Sequence, residues 1–256
     1  MGSAEGGKAR NIFLAVVLPA VVATWFTRFN PLSILAQWDV FLAFFTQDFF
    51  PPEFVGRREN LWALLVTVAM SFAASFAAFI LSALLSFLGA DATAPHPVCG
   101  KAVRAAASLL RNMPTLVWAF ILFMSFGIGE TVGFLALLLS SVGFLTRAFI
   151  ETIDETPVEI REVAVAGGAG YWQRIFCLIL PGVITGYLSW LLYNIELNIR
   201  SSSIVGMVGG GGIGLVLFSY LKMYRYGAAA GVILAIAAMV VLFEWAAKMI
   251  RKRVLA

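Results

Sequence analysis

Residues 61–88 run for 28 positions without one charged side chain. As a helix they would be roughly 42 Å long at about 1.5 Å per residue. About 20 apolar residues already cross the roughly 30 Å hydrocarbon core of a bilayer. A soluble domain has no place for an uncharged helix of that length. The stretch therefore dictates a membrane span, tilted or projecting past the bilayer. Composition agrees: the chain is 61% hydrophobic and 12% charged, against roughly 25% charged in soluble domains.

Five further apolar stretches qualify as spans, at about 12–26, 105–128, 132–149, 175–195 and 228–247. Arg111, Asn112, Met113 and Pro114 interrupt the 105–128 stretch. Proline lacks the backbone donor and kinks a helix, so the part before Pro114 is expected at the membrane interface. The loop 30–60 is rich in Phe but broken by Asp39, Asp48 and Pro51-Pro52. It reads as a helix lying on the outer interface or as a re-entrant segment. Residues 1–10 are expected to be disordered. The apolar stretch after Lys8 and Arg10 is expected to be retained, because no clear small-residue cleavage site precedes Arg28. The expected architecture is an all-α integral membrane protein with one transmembrane domain, 11–256, and about six helices.

Six spans place both termini on one side. Of the 18 Lys and Arg residues, those at 8, 10, 101, 104, 111, 147, 161, 174, 248 and 251–253 fall on the side of the termini. Those at 28, 57, 58, 200, 222 and 225 fall on the other side or inside the membrane. The excess marks the side of the termini as cytoplasmic. The same distribution explains the net charge of +4 by orientation signals at span ends. It is not a phosphate-tracking stripe, and no nucleic-acid partner is expected. His96, the one histidine, and the distant pair Cys99 and Cys177 form no metal-ligand cluster. Both cysteines fall near the cytoplasmic side, where a disulfide is not expected.

Two polar interruptions carry the functional information. The first is residues 162–181, EVAVAGGAGYWQRIFCLILP. Glu162 is charged, Ala164 and Ala166 leave a smooth surface, and Gly167-Gly168 permits a sharp turn at little steric cost. Such a segment could dock into a groove on a cytoplasmic partner, or could be an ordinary loop; the residues alone support both. The second is residues 196–214, ELNIRSSSIVGMVGGGGIG. Glu196 and Arg200 are four apart and can pair on one helix face. Charges in a span are costly and usually functional. Asn198, the hydroxyls of Ser201, Ser202 and Ser203, and a glycine run including Gly209, Gly211 and Gly212 complete the segment. Glycine sustains a helix poorly, and a broken helix offers N–H groups to an anion. A structural Glu–Arg pair with close glycine packing is the other reading. Gly209, Gly211 and Gly214 satisfy G-x-G-x-x-G but follow no strand, which excludes a dinucleotide site. The pairs Gly182/Gly186, Gly206/Gly210 and Gly227/Gly231 read as close helix packing.

Residues 162–181 resemble the EAA loop of ABC-importer membrane subunits. Glu162 and Ala164 hold the first and third places, Val163 replaces an alanine, Gly168 holds the glycine place, and Ile179-Leu180-Pro181 closes the motif. Residues 194–214 resemble the permeases of phosphonate ABC transporters, as do Asn112-Met113-Pro114 with 116–119 and the Phe-Phe-Pro-Pro stretch at 49–52. The likeness runs from about residue 38 to 253, with Ile195 where the family has an aromatic. It implies a type I importer permease in the cell inner membrane, crossing it several times and surrounded by membrane lipid. By that resemblance 151–175 is the cytoplasmic coupling segment, with Glu162, Ala164, Gly167 and Gly168 shaping the contact. The pathway would be lined by Glu196, Asn198, Arg200, Ser201, Ser202, Ser203, Gly209, Gly211 and Gly212, in a segment spanning 200–214. The implied partners are a second permease copy forming a homodimer and two cytoplasmic ATPase subunits that hold ATP and magnesium. A periplasmic or lipid-anchored substrate-binding protein and a phosphonate-like anion complete the set. No cofactor is expected in this chain, which has no phosphate-binding loop and is not expected to be an enzyme. The alternatives are a permease for phosphate, phosphite or methionine, or a proton-coupled secondary transporter. The last would call for buried acids on several spans, and only Glu196 and Glu244 come close.

Overall fold

The computed structural model describes the chain apart from residues 1, 29, 31–35, 55, 56, 157–167, 169, 255 and 256. Its described residues form helices joined by short turns, with no strand among them, and fall into two compact units, Met1–Pro51 and Pro52–Ala256. The single domain expected over 11–256 is thus divided at Pro51-Pro52, where neither proline can extend a helical hydrogen-bond ladder.

The first unit holds α1 (Gly2–Phe26) and α2 (Trp38–Ala43), the latter continuing through a wide turn, Phe44–Phe49. This first helix starts at Gly2, so residues 2–10, expected to be disordered, belong to it. Its shorter apolar part, Ala15–Phe26, falls below the ~20 residues a span needs by itself. Trp38, Phe41 and Phe45 lie on one exposed side, with ring centroids 5.3 and 6.0 Å apart.

The second unit is a bundle. Its elements are α3 (Arg57–Gly89), α4 (Pro97–Asn112), α5 (Thr115–Phe126), α6 (Glu130–Asp154), α7 (Leu180–Val205), α8 (Gly212–Lys222) and α9 (Tyr226–Val254). One helical turn, Tyr171–Gln173, and a wide turn, Arg174–Ile179, lead into α7. Among the described residues four helices are long and apolar enough to cross a membrane, namely α3, α6, the run Tyr171–Gly210 and α9. The pair α4 and α5, bent by 89° at Met113-Pro114, makes a fifth crossing if counted as one. The residue before a proline is pushed out of the helical region, and Met113 has φ −90° and ψ 124°.

α3 and α6 run in the same direction: Met70 touches Gly133 near one end, and Gly89 faces Ile150 near the other. α9 runs against α7 and α8, with Met239 packed among Leu191, Ile195 and Ile199, and Val232 on Ile213 and Leu217. The outward side of α3 is apolar, with Trp62, Leu65, Ile80 and Leu84 at least 60% exposed. Lipid is as apolar as leucine, so burial of apolar area holds such helices together less than close packing does. The helix contacts accordingly use small residues. Ala74, Ala78, Ala136 and Ala148 are buried, and Gly143 lies so close to α4 that an added Cβ would sit 2.6 Å from the Arg111 nitrogen. The largest buried core joins α3, α6 and α7 around Tyr187, which stacks on Phe149 at 3.8 Å and shares a 2.8 Å hydrogen bond with Ser86.

Candidate functional site

The polar residues of α7 are sorted by helical phase. Asn194 and Asn198, one turn apart, face inward. Asn198 Nδ2 donates to Ser75 Oγ of α3 and Ser141 Oγ of α6, both at 2.8 Å. Asn194 Nδ2 reaches the same two hydroxyls at 3.2 Å. Ser71 Oγ donates to the Asn198 carbonyl at 3.2 Å. This seam of buried polar groups ties three helices together. Ser141 lies eleven residues after Glu130 and thirteen before Asp154, roughly 16 and 20 Å from the two ends of α6. The seam therefore sits at mid-depth.

Glu196 and Arg200 face the other way. Glu196 Oε1 lies 3.6 Å from Arg200 Nη2, and its Oε2 lies 3.9 Å from Arg251 Nη2. The carboxylate is 14% exposed and the Arg200 side chain 53%. The Arg251 guanidinium also stands 6.0 Å from the Tyr193 ring, a cation–π distance. The Glu196–Arg200 pairing expected from the sequence is present, with Arg251 of α9 as a third member. Arg200 follows Asn198 by two residues, a rise of about 3 Å. It therefore belongs to the middle of the bundle and not to its outer end. The sequence reading put the helix break in the glycine run after the serines; α7 stays helical to Val205 and helical geometry is lost at Val208 and Gly209.

The other expected pathway residues divide. Ser201 is partly exposed beside Arg200. Ser202 and Ser203 are buried; Ser202 Oγ donates to the Ile199 carbonyl at 2.9 Å, and Ser203 Oγ has no hydrogen-bond partner among the described residues. The glycine run forms a wide turn, Gly206–Gly210, with Val208 and Gly209 out of helical geometry. Gly209, Gly211 and Gly212 have φ of 102°, 77° and 64°, a backbone region where a Cβ is strained. Gly209, Gly210 and Gly211 are buried. Gly129 N–H donates to the Gly209 carbonyl at 2.8 Å, and the Ile213 N–H at the start of α8 donates to Thr67 Oγ1 at 2.8 Å. The expectation that this break offers free N–H groups to an anion is corrected at Ile213. The glycines instead let α6, α7 and α8 approach backbone to backbone.

Of the coupling residues, Glu162, Ala164 and Gly167 lie outside the described residues. Gly168 has φ 70° with no atom within 4 Å of an added Cβ. The chain on either side is firmly held. Arg104 of α4 donates from Nε to the Gly89 carbonyl at 2.8 Å and from Nη2 to Asp154 Oδ2 at 3.0 Å, and pairs with Asp91 at 2.8 Å. Ala92 N–H donates to Asp154 Oδ1 at 3.3 Å, and Tyr171 Oη donates to the Thr93 carbonyl at 2.8 Å. The sequence reading used Arg104 only as an orientation charge. It missed this knot, and it missed the seam, although Thr67, Ser71 and Ser75 recur every four residues as one helix face requires.

A family described as "Binding-protein-dependent transport system inner membrane component" matches residues 82–256. The chain is 35% identical to the phosphite transport system permease protein PtxC of Stutzerimonas stutzeri, over 96% of this chain and 88% of that one. It is 31% identical to the phosphate-import permease protein PhnE of Mycolicibacterium smegmatis, over 91% of this chain and 43% of that one. Among solved structures, the inward-facing MetNI methionine ABC transporter matches with a TM-score of 0.66 at 20% identity, over 76% of this chain and 95% of that one. A bacterial alginate ABC transporter matches with 0.61 at 15% identity, over 98% and 97%. The fold is thus that of type I ABC importer permeases, and the chain belongs to the family of inner-membrane components of binding-protein-dependent transport systems.

Proposed function

We propose that this permease passes phosphite, phosphonate or phosphate through the membrane by alternating access. The observation that carries the substrate class is the 35% identity to a phosphite permease across nearly the whole chain. The half-exposed Arg200 at mid-depth agrees with it. A charge at that depth belongs beside a water-filled path, and a guanidinium matches an oxyanion in geometry. Helical phase narrows the contact to Arg200 and Ser201, with Glu196 holding the guanidinium and itself paired with Arg251. Asn198, Ser202, Ser203 and the glycines shape the helix that presents it.

In this reading the second copy of the chain completes the path, and the end of the bundle at Asp154 faces the cytoplasm, as do both termini. Two ATPase subunits carrying ATP and magnesium engage residues 151–175, and an outer binding protein delivers the anion. Nucleotide-driven closure of the ATPases moves the two coupling segments together and opens the path outward.

Two measurements test this reading in proteoliposomes containing the complete importer. Arg200→Ala is expected to lower phosphite or phosphonate uptake about tenfold, the loss of one charge-assisted hydrogen bond of about 1.5 kcal/mol. Unchanged rate and unchanged preference among phosphite, methylphosphonate, phosphate and methionine would remove the anion role. Gly168→Val strains a φ of 70°, and Glu162→Lys reverses a charge. Either is expected to leave ATP hydrolysis running while uptake collapses, and normal uptake by both would sink the coupling role.

A further inference from the structure

The knot around Arg104 joins the neighbouring stretch 89–93 to Asp154 and Tyr171, which lie 50 and 67 positions beyond Arg104. Asp154, the last residue of α6, and Tyr171 lie toward the two ends of the coupling segment 151–175. Both are bonded to the stretch 89–93 that follows α3, Asp154 through the Ala92 N–H and Tyr171 through the Thr93 carbonyl. Arg104 is the centre, bonded at once to Gly89, Asp91 and Asp154. Asp91 is 82% exposed, whereas the Arg104 and Asp154 side chains are 27% and 25% exposed. The Arg104–Asp154 bond is therefore the shielded one, with little screening by water.

Arg104 also sits on α4, the helix that ends at the 89° bend. Two turns on, α4 reaches Arg111, whose backbone abuts Gly143 of α6, and the chain then turns by 89° at Met113-Pro114 into α5. Thr115 Oγ1, at the start of α5, donates to Ser140 Oγ at 2.9 Å, beside the mid-depth seam. A side chain bound to Asp154 at one end of the coupling segment, and to the stretch 89–93 that holds Tyr171 at the other, thus lies on the same short helix as the elbow at mid-depth.

We infer that Arg104 is the positioning residue of coupling: it passes displacement of the coupling segment, through its bond to Asp154, to α4 and so to the elbow at Met113-Pro114. The inference rests on the coupling role proposed above for residues 151–175. A bidentate guanidinium suits the task because its planar fork holds direction as well as distance. Lysine at this place would keep the charge and lose the simultaneous hold on Gly89 and Asp154.

The test is a double-mutant cycle in the complete importer, reading uptake and ATP hydrolysis separately. Arg104→Ala and Asp154→Ala are each expected to lower uptake about tenfold while hydrolysis stimulated by the loaded binding protein stays within about twofold, and the double variant is expected to lose about tenfold and not a hundredfold, as two ends of one link do. If Arg104→Ala does not assemble, Asp154→Asn takes its place, since it keeps the side-chain size and the acceptor for Ala92 N–H. Arg104→Lys is expected to recover only part of the uptake. Multiplicative losses, parallel loss of hydrolysis and uptake, or full recovery by lysine would overturn the inference. Gly168→Val in the same assay separates the two claims. If it uncouples and the Arg104 and Asp154 variants do not, the transmission role is wrong and the coupling segment stands. If none uncouples, both are wrong.

Discussion

Gly214→Ala is expected to strip most of the assembled protein from the membrane fraction. A helix interior favours alanine over glycine by about 1 kcal/mol, so a free surface would be stabilised by this change. At Gly214 the new Cβ meets the Ser203 carbonyl oxygen, the Gly206 Cα at 2.9 Å and the Met207 nitrogen at 2.9 Å. All three are backbone atoms and no rotamer relieves them. Overpacking costs about 1–3 kcal/mol even where side chains can give way, so the net loss here is expected to exceed about 2 kcal/mol. Gly182→Ala is the control, because nothing lies within 4 Å of its Cβ. Heating detergent-solubilised protein and following the monodisperse fraction measures both. Equal survival of the two variants would show that α7 and α8 can part at Gly214 without loss.

The same comparison shows how far a G-x-x-x-G spacing can be read. Gly206 and Gly210 make backbone approaches, and Gly231 would put its Cβ 2.5 Å from the Glu53 carbonyl. Gly182 packs on nothing, although its spacing to Gly186 is the same. Spacing identifies candidate faces; the angle at which another helix crosses decides which are used.

Fold class was legible because it follows from a quantity the sequence displays directly, the length of uncharged runs. The 61–88 stretch became α3 and the 132–149 stretch became α6, each lengthened at its ends by residues that the hydrocarbon core need not hold. The break at Pro114 was legible for the same reason, since proline acts on its own backbone. The short helix α8 was not. Its residues follow a glycine run, and their helicity depends on Thr67 accepting the first N–H and on α9 covering Leu217. The pairing of Glu196 with Arg200 could be read from a spacing of four. Arg251 could not, because it comes from another helix and its place is set by how α9 crosses α7. The knot around Arg104 is invisible in sequence on the same ground: its partners lie 13, 15 and 50 positions away.

Asn198→Leu is expected to weaken the bundle by about 2 kcal/mol, and the reason is local. Hydrogen bonds between membrane helices average about 0.6 kcal/mol and reach about 1.7; Asn198 Nδ2 makes two, both at 2.8 Å. Leucine of similar size leaves no cavity but deprives Ser75 and Ser141 of their shorter partner. Asn194, at 3.2 Å from both hydroxyls, recovers part of the loss, which keeps the cost below that of two wholly orphaned hydroxyls at about 1–3 kcal/mol each. Combining Asn198→Leu with Ser141→Ala is expected to cost less than the sum of the two, because the serine has then lost nothing further. Ser203→Ala runs the opposite way. Its hydroxyl is buried with no partner among the described residues, so its removal is expected to be neutral or stabilising and to leave uptake unchanged. A large drop in uptake with unchanged stability would place Ser203 on the anion's path after all. It would mean that α7 turns during the transport cycle by enough to bring its inward face into the open.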